Sequence, residues 1–159
     1  MTRFIAREIA VHLAYEMSFT DRTPEQLLEE RLTKGSFALL APEDELYADA
    51  PGPTQREYIR GIVLGVAEHA PELDGYIEKY AKDWRFERIS LIAGAVMRVC
   101  MYEVLYRPDI PAGAAVNAAV EIAKKYETAE TIRFINGILG SFIRAELPED
   151  RLPKEKAPG

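Results

Sequence analysis

Ile89-Ser90-Leu91-Ile92-Ala93-Gly94-Ala95-Val96-Met97-Arg98-Val99-Cys100-Met101-Tyr102-Glu103-Val104-Leu105-Tyr106 is the stretch on which the reading of this chain turns. Its apolar residues cover almost the whole circumference of a helical wheel, so the spacing predicts a helix over residues 88–106 that other helices enclose. Ser90, Arg98 and Glu103 interrupt the stretch, and a bilayer span is excluded. Arg98 is the only charge between Ile89 and Met101, and an unpaired buried charge is costly. It needs a partner, either in a structural ion pair with Glu103 or a helix end, or in a binding role.

Outward from this centre the same period repeats. Apolar residues recur at three and four rather than at two, and six or seven helices are expected. Toward the N-terminus, Ile5, Ala6, Ile9, Ala10, Leu13 and Met17 form one stripe over residues 3–17. Thr23-Pro24-Glu25-Gln26 spells a capping box with proline at the first helical position, and Gly35 is the expected stop. Residues 36–53, with Glu43, Asp44, Glu45, Asp49, three prolines and a glycine, read as an acidic connector with room for one turn of helix. Thr54 and Glu57 suggest a second capping box before Tyr58, Ile59, Ile62, Val63 and Val66, and Pro71 opens a shorter helix carrying Leu73 and Ile77. Trp84 and Phe86 mark the approach to the central helix. Beyond Arg107-Pro108-Asp109-Ile110-Pro111, a small-residue helix is expected over 112–126 with Val116, Ala119, Val120 and Ala123 inward. A last helix, over 129–146, starts at Thr128 as N-cap and turns Ile135, Ile138, Leu139, Phe142 and Ile143 to the core. Residues 1–146 make the helical domain, and 147–159, rich in proline and charge, read as a disordered tail.

With 159 residues and 48% hydrophobic content the chain can bury a core without staples. The N-terminus lacks the apolar run and small-residue cleavage site of a signal peptide, and a cytoplasmic protein is expected. A single cysteine, Cys100, and two separated histidines, His12 and His69, make neither a disulfide nor a metal-ligand pattern. No cofactor or metal is expected. The net charge of −6 argues against a broadly basic nucleic-acid surface, so any RNA site must be a local patch.

Few residues could carry chemistry. No P-loop, nucleophile elbow, dinucleotide fingerprint or zinc-protease motif occurs, and Glu8 with His12, four apart, is explained by a surface ion pair. The chain reads as non-enzymatic. On the first helix, the face opposite the stripe collects Arg3, Phe4, Arg7, Val11 and Tyr15. Two readings stand: an ordinary, partly covered surface, or an RNA-binding face with guanidiniums for phosphates and rings for unpaired bases. On the last helix Arg133, Gly137, Gly140 and Arg144 align, with Ser141 and Phe134 at one edge and Asn136 at the other. Glycines inside a helix weaken it, and either tight helix packing or an approaching ligand could explain them.

Four segments, in order, resemble the NusB family over roughly residues 3–142. They are Ala6-Arg7-Glu8-Ile9-Ala10-Val11-His12-Leu13-Ala14-Tyr15; Met97-Arg98-Val99-Cys100-Met101-Tyr102-Glu103 with Asp109-Ile110-Pro111; Val116-Asn117-Ala118-Ala119-Val120-Glu121-Ile122-Ala123-Lys124-Lys125-Tyr126; and Arg133-Phe134-Ile135-Asn136-Gly137-Ile138-Leu139. The resemblance implies an all-α fold of two packed helical bundles forming one compact domain, without enzymatic activity. It also implies binding of a single-stranded, boxA-type element of an rRNA leader together with ribosomal protein S10, within an RNA polymerase antitermination complex. Mapped onto this chain, the implied RNA-binding residues are Arg3, Arg7, Tyr15, Arg133 and Phe134, with Asn136 beside them. Phe4 and Ile5 stand where many members continue a run of arginines, and Ala118 stands where the family has glutamate. The alternative is a helical interaction module, a homodimer or partner-helix binder, that has lost RNA binding and uses Phe4, Val11 and Tyr15.

Overall fold

The computed structural model describes residues 1–81 and 89–153. Among them the chain forms eight α-helices and no strand: α1 (Arg3–Met17), α2 (Pro24–Arg31), α3 (Lys34–Leu40), α4 (Pro53–Glu68), α5 (Ala70–Tyr80), α6 (Leu91–Tyr106), α7 (Ala112–Ala123) and α8 (Ala129–Glu146). The count exceeds the expected six or seven because the acidic connector folds. Thr33 caps α3 by accepting from the Ser36 amide, Phe37 is buried, and a 3-10 turn at Glu45–Tyr47 buries Leu46. Acidic composition concealed two apolar anchors.

Helix starts follow side-chain capping. Thr23 and Gln26 complete their reciprocal box on α2, and Thr128 accepts from the Thr131 amide at α8. Two boundaries differ from expectation. α4 begins at Pro53 with Gly52 as N-cap and no side-chain cap, so Thr54 and Glu57 do not form a box. Proline at the first position needs no amide partner, which suffices there. α2 stops before Gly35, at Leu32, whose carbonyl accepts from Arg56 Nη2 at 2.5 Å, and Gly35 lies inside α3.

The helices group into two compact units, Met1–His69 and Ala70–Gly159. In the first, α1 packs on α4 and α2, and α2 also meets α4 and α3. In the second, α6 packs against α5, α7 and α8. Its Ala93, Val96, Met97, Val99, Met101 and Val104 are buried to within 1%, and each larger side chain of this kind is worth about 1.5 to 3 kcal/mol. On α7 the inward residues are Ala112, Ala115, Ala118, Ala119, Ile122 and Ala123, whereas Val116 and Val120 are half-buried. Small residues let α7 sit close on α6, and this rotates the two valines toward the rim.

After α8 the chain turns back. Leu147 is buried, Glu149–Arg151 form a 3-10 turn, and the Pro153 ring lies 3.6 Å from the Cβ position of Gly113. Residues 154–159, and the expected markers Trp84 and Phe86, lie outside the described residues. No helix among the described residues is long and apolar enough to cross a membrane.

Candidate nucleic-acid interface

α1 carries the first group of expected residues, and its geometry depends on α4. The Tyr58 ring, only 3% exposed, lies beneath both arginines: the Arg3 guanidinium carbon is 3.9 Å from the ring centroid and that of Arg7 is 6.0 Å away. Arg3 Nε also donates to Gln55 Oε1 at 3.1 Å. Such cation–π contacts hold a guanidinium's plane in place. Arg7 is 9% exposed and Val11 1% exposed, so the face opposite the apolar stripe is not open along its length. The physical reason is that α4 lies against it. What stays open is aromatic: Phe4 and Tyr15 at 36% each, and Phe19 at 60%, packed edge-on against Tyr15 with centroids 5.0 Å apart.

Glu8 and His12 are likewise not a surface ion pair, because Glu8 is 1% exposed. His12 Nε2 faces the Glu8 carboxylate at 3.9 Å and Nδ1 lies 2.7 Å from the Tyr47 hydroxyl. A ring with its proton on Nε2 toward Glu8 accepts at Nδ1 from Tyr47. Burial, then the carboxylates of Asp44, Glu16 and Glu8, push the Tyr47 hydroxyl up to about 12. The trio ties the 3-10 turn to α1.

α8 carries the second group. Arg133 and Asn136 are exposed and Phe134 is half-buried. A Cβ at Gly137 would meet nothing within 4 Å, and the three atoms nearest one at Gly140 all belong to the guanidinium of Arg144. Gly137 therefore does not serve helix–helix packing among the described residues. The two glycines leave a low, open strip. Asn136 looks into a groove between α7 and α8 together with Asn117.

Arg98, left open between a structural and a binding role, is structural: its Nε donates to Asp74 Oδ1 of α5 at 2.5 Å. Glu103, the expected partner, is fully buried. Nearby, the Tyr106 hydroxyl donates to the Glu72 carboxylate at 2.7 Å, which pushes it up to about 12, and the ring stacks on Tyr102 with centroids 5.3 Å apart. Tyr106 is 39% exposed, so this unit presents an acidic-aromatic surface as well.

The structure thus gathers Arg3 and Arg7 on one ring, and Arg133, Phe134 and Asn136 on one helix; the two groups belong to different units. Sequence reasoning missed Gln55, Tyr58 and Phe19. Tyr58 read as ordinary core, since nothing in a helical wheel says what lies above a buried ring. No group of three or more His, Cys, Asp or Glu among the described residues could hold a metal ion.

Open rings, ordered guanidiniums and an all-helical frame define a binding protein. The NusB family model matches residues 5–144. The transcription antitermination protein NusB of Ruminiclostridium cellulolyticum is 40% identical over 98% of this chain and 97% of its own, and that of Symbiobacterium thermophilum is 37% identical over 91% and 90%. The solved structure of T. maritima NusB superposes with a TM-score of 0.77 at 29% identity, covering 95% of this chain and 96% of that one. A further solved structure, of the antitermination factors NusB and NusE in complex with dsRNA, shares the fold at a TM-score of 0.72 and 22% identity, over 91% of this chain and 99% of that one. This chain belongs to the NusB family of transcription antitermination proteins, which bind RNA and are not enzymes.

Proposed function

We propose that this protein is a cytoplasmic antitermination factor that binds a single-stranded, boxA-type element of an rRNA leader together with ribosomal protein S10, as part of an RNA polymerase antitermination complex. The observation that carries the reading is the pairing of held guanidiniums with uncovered rings: the Arg3 guanidinium carbon sits 3.9 Å from the Tyr58 ring centroid beside exposed Phe4, while Tyr15 and Phe19 stand open at the other end of α1. Phosphates meet the arginines and unpaired bases stack on the rings. Arg133 adds a cation that makes no hydrogen bond or ion pair with any described residue, Phe134 lies next to it, and Asn136 borders them. Arg7 orients the patch from beneath and contacts RNA with its small exposed edge. A net charge of −6 is no obstacle, because a few ordered contacts supply the affinity. For the protein partner, the Glu72, Tyr102 and Tyr106 surface suits a basic ribosomal protein, and the solved complex of NusB with NusE and RNA supports a joint assembly.

The module that dimerises through Phe4, Val11 and Tyr15 loses its centre, because Val11 is covered. A gel-shift titration with the organism's own rRNA leader, comparing wild type with Arg3→Ala plus Arg133→Ala, tests the RNA half. Unchanged binding rejects the patch. Co-purification of S10 that survives nuclease treatment and is lost in Tyr106→Ala tests the protein half.

A further inference from the structure

Two arginines of the second unit adopt the same posture. A Cβ at Gly94 would stand 3.3 Å from Arg98 Nη1, and one at Gly140 would stand 3.2 Å from Arg144 Nη1. In each case the glycine one turn earlier leaves room for the guanidinium to fold back along its own helix, the direction in which helical side chains lean. On α6 that posture delivers Arg98 onto the carboxylate of Asp74. On α8 it delivers Arg144 to the wall of the α7–α8 groove, where no described residue hydrogen-bonds or ion-pairs with it. The second device is the first without its carboxylate.

The groove around it has a volume of about 560 Å³. Val116 and Val120 of α7 and Leu152 of the returning chain give it apolar walls, and the amides of Asn117 and Asn136 reach it from facing helices without a hydrogen-bond partner among the described residues. Among the described residues neither a carboxylate nor an aromatic ring lines it. The first absence makes Arg144 the charge-determining group of that described lining. The second leaves an unpaired base nothing to stack on, in contrast to the open rings of α1.

We infer that this groove docks an acidic, leucine-rich peptide segment of a protein partner. A partner carboxylate occupies on Arg144 the place that Asp74 occupies on Arg98, the apolar side chains lie along the two valines, and the asparagines meet the segment's backbone. Its lining shares no residue with the Glu72 and Tyr106 surface of the same unit, and it selects the opposite charge from that surface.

The test uses the full chain and short fluorescein-labelled peptides in which leucine recurs at helical spacing with aspartate, or with asparagine in its place, alongside a labelled oligouridylate. Anisotropy reports affinity, and the side-chain amide resonances of Asn117 and Asn136 report location. The aspartate peptide is expected to bind and shift both amides, and the asparagine peptide to bind about tenfold more weakly, as the loss of a charge-assisted hydrogen bond requires. Arg144→Gln should erase that discrimination while leaving the circular dichroism unchanged. Gly140→Ala, which keeps the helix and whose Cβ would press first on the Arg144 guanidinium, should weaken the aspartate peptide alone. Equal binding of the two peptides, discrimination that persists in Arg144→Gln, binding that leaves the two amides unshifted, or shifts produced by the oligouridylate instead would overturn the inference, as would no peptide binding at all.

Discussion

The exposed edge of α1 and the open strip of α8 carry similar residues, arginine beside an aromatic ring, yet they differ in what lies beneath. Under α1 stands the Tyr58 ring, so Arg3 and Arg7 are ordered by the core and partly used by it. Along α8 stand Gly137 and Gly140, and Arg133 makes no contact with a described residue that would hold it. Rigid arginines bind with little ordering cost and couple binding to stability. Loose ones bind at greater entropic cost and can be removed without consequence for the fold.

The largest effect should come from removing the shared platform. Tyr58→Ala empties a nearly closed site and is expected to lower stability by about 3 to 5 kcal/mol, read from urea unfolding, with RNA affinity falling as both guanidiniums lose their orientation. An unfolding midpoint unchanged by that substitution would break the comparison. Arg7→Ala should cost about 1 to 2 kcal/mol of stability, the worth of a desolvated cation–π contact, and also weaken RNA binding. Arg133→Ala should leave stability within about 0.5 kcal/mol while still weakening RNA binding. If Arg133 meets a phosphate, the slope of log affinity against log salt falls by about 0.7 for single-stranded RNA. Parallel titrations of the two variants, each paired with a thermal melt, separate a coupled arginine from an uncoupled one.

Smaller effects sharpen the contrast. Gly137→Ala meets open space and should stabilise α8 by about 0.5 to 1 kcal/mol, whereas Gly140→Ala should yield less because Arg144 must shift. The smallest effect is on pH. In the folded chain the Tyr47 hydroxyl titrates at about 12 instead of 10.0. The fold therefore favours its neutral form: that contribution is complete below pH 10.0 and is lost as pH rises toward about 12. Tyr47→Phe should flatten this part of an alkaline unfolding profile, at the expense of the hydrogen bond to His12.

Much of the architecture was legible in the residues. The all-round apolar circumference of Leu91 to Tyr106 placed α6 among its neighbours, Thr23 and Thr128 announced their helices, and α1 has the expected ends. These are local matters: a capping hydroxyl satisfies an amide two or three residues away, and an apolar stripe is a property of one helix. The expected functional residues were half legible. Phe4 and Tyr15 are open, but Arg7, Val11 and Glu8 are covered, because a wheel shows which side of a helix faces away from its own stripe and not whether another helix lies there.

The sequence by itself therefore determined an all-helical chain, where most helices start, and which side chains of α1 lie opposite its apolar stripe. Only the tertiary structure decided which of those stay open. It put Tyr58 beneath two arginines, paired Arg98 with Asp74 rather than Glu103, closed His12 between Glu8 and Tyr47, and left Arg144 facing an open groove. Each of those pairings joins residues far apart in the chain, and their selection depends on how helices pack, which no local period encodes.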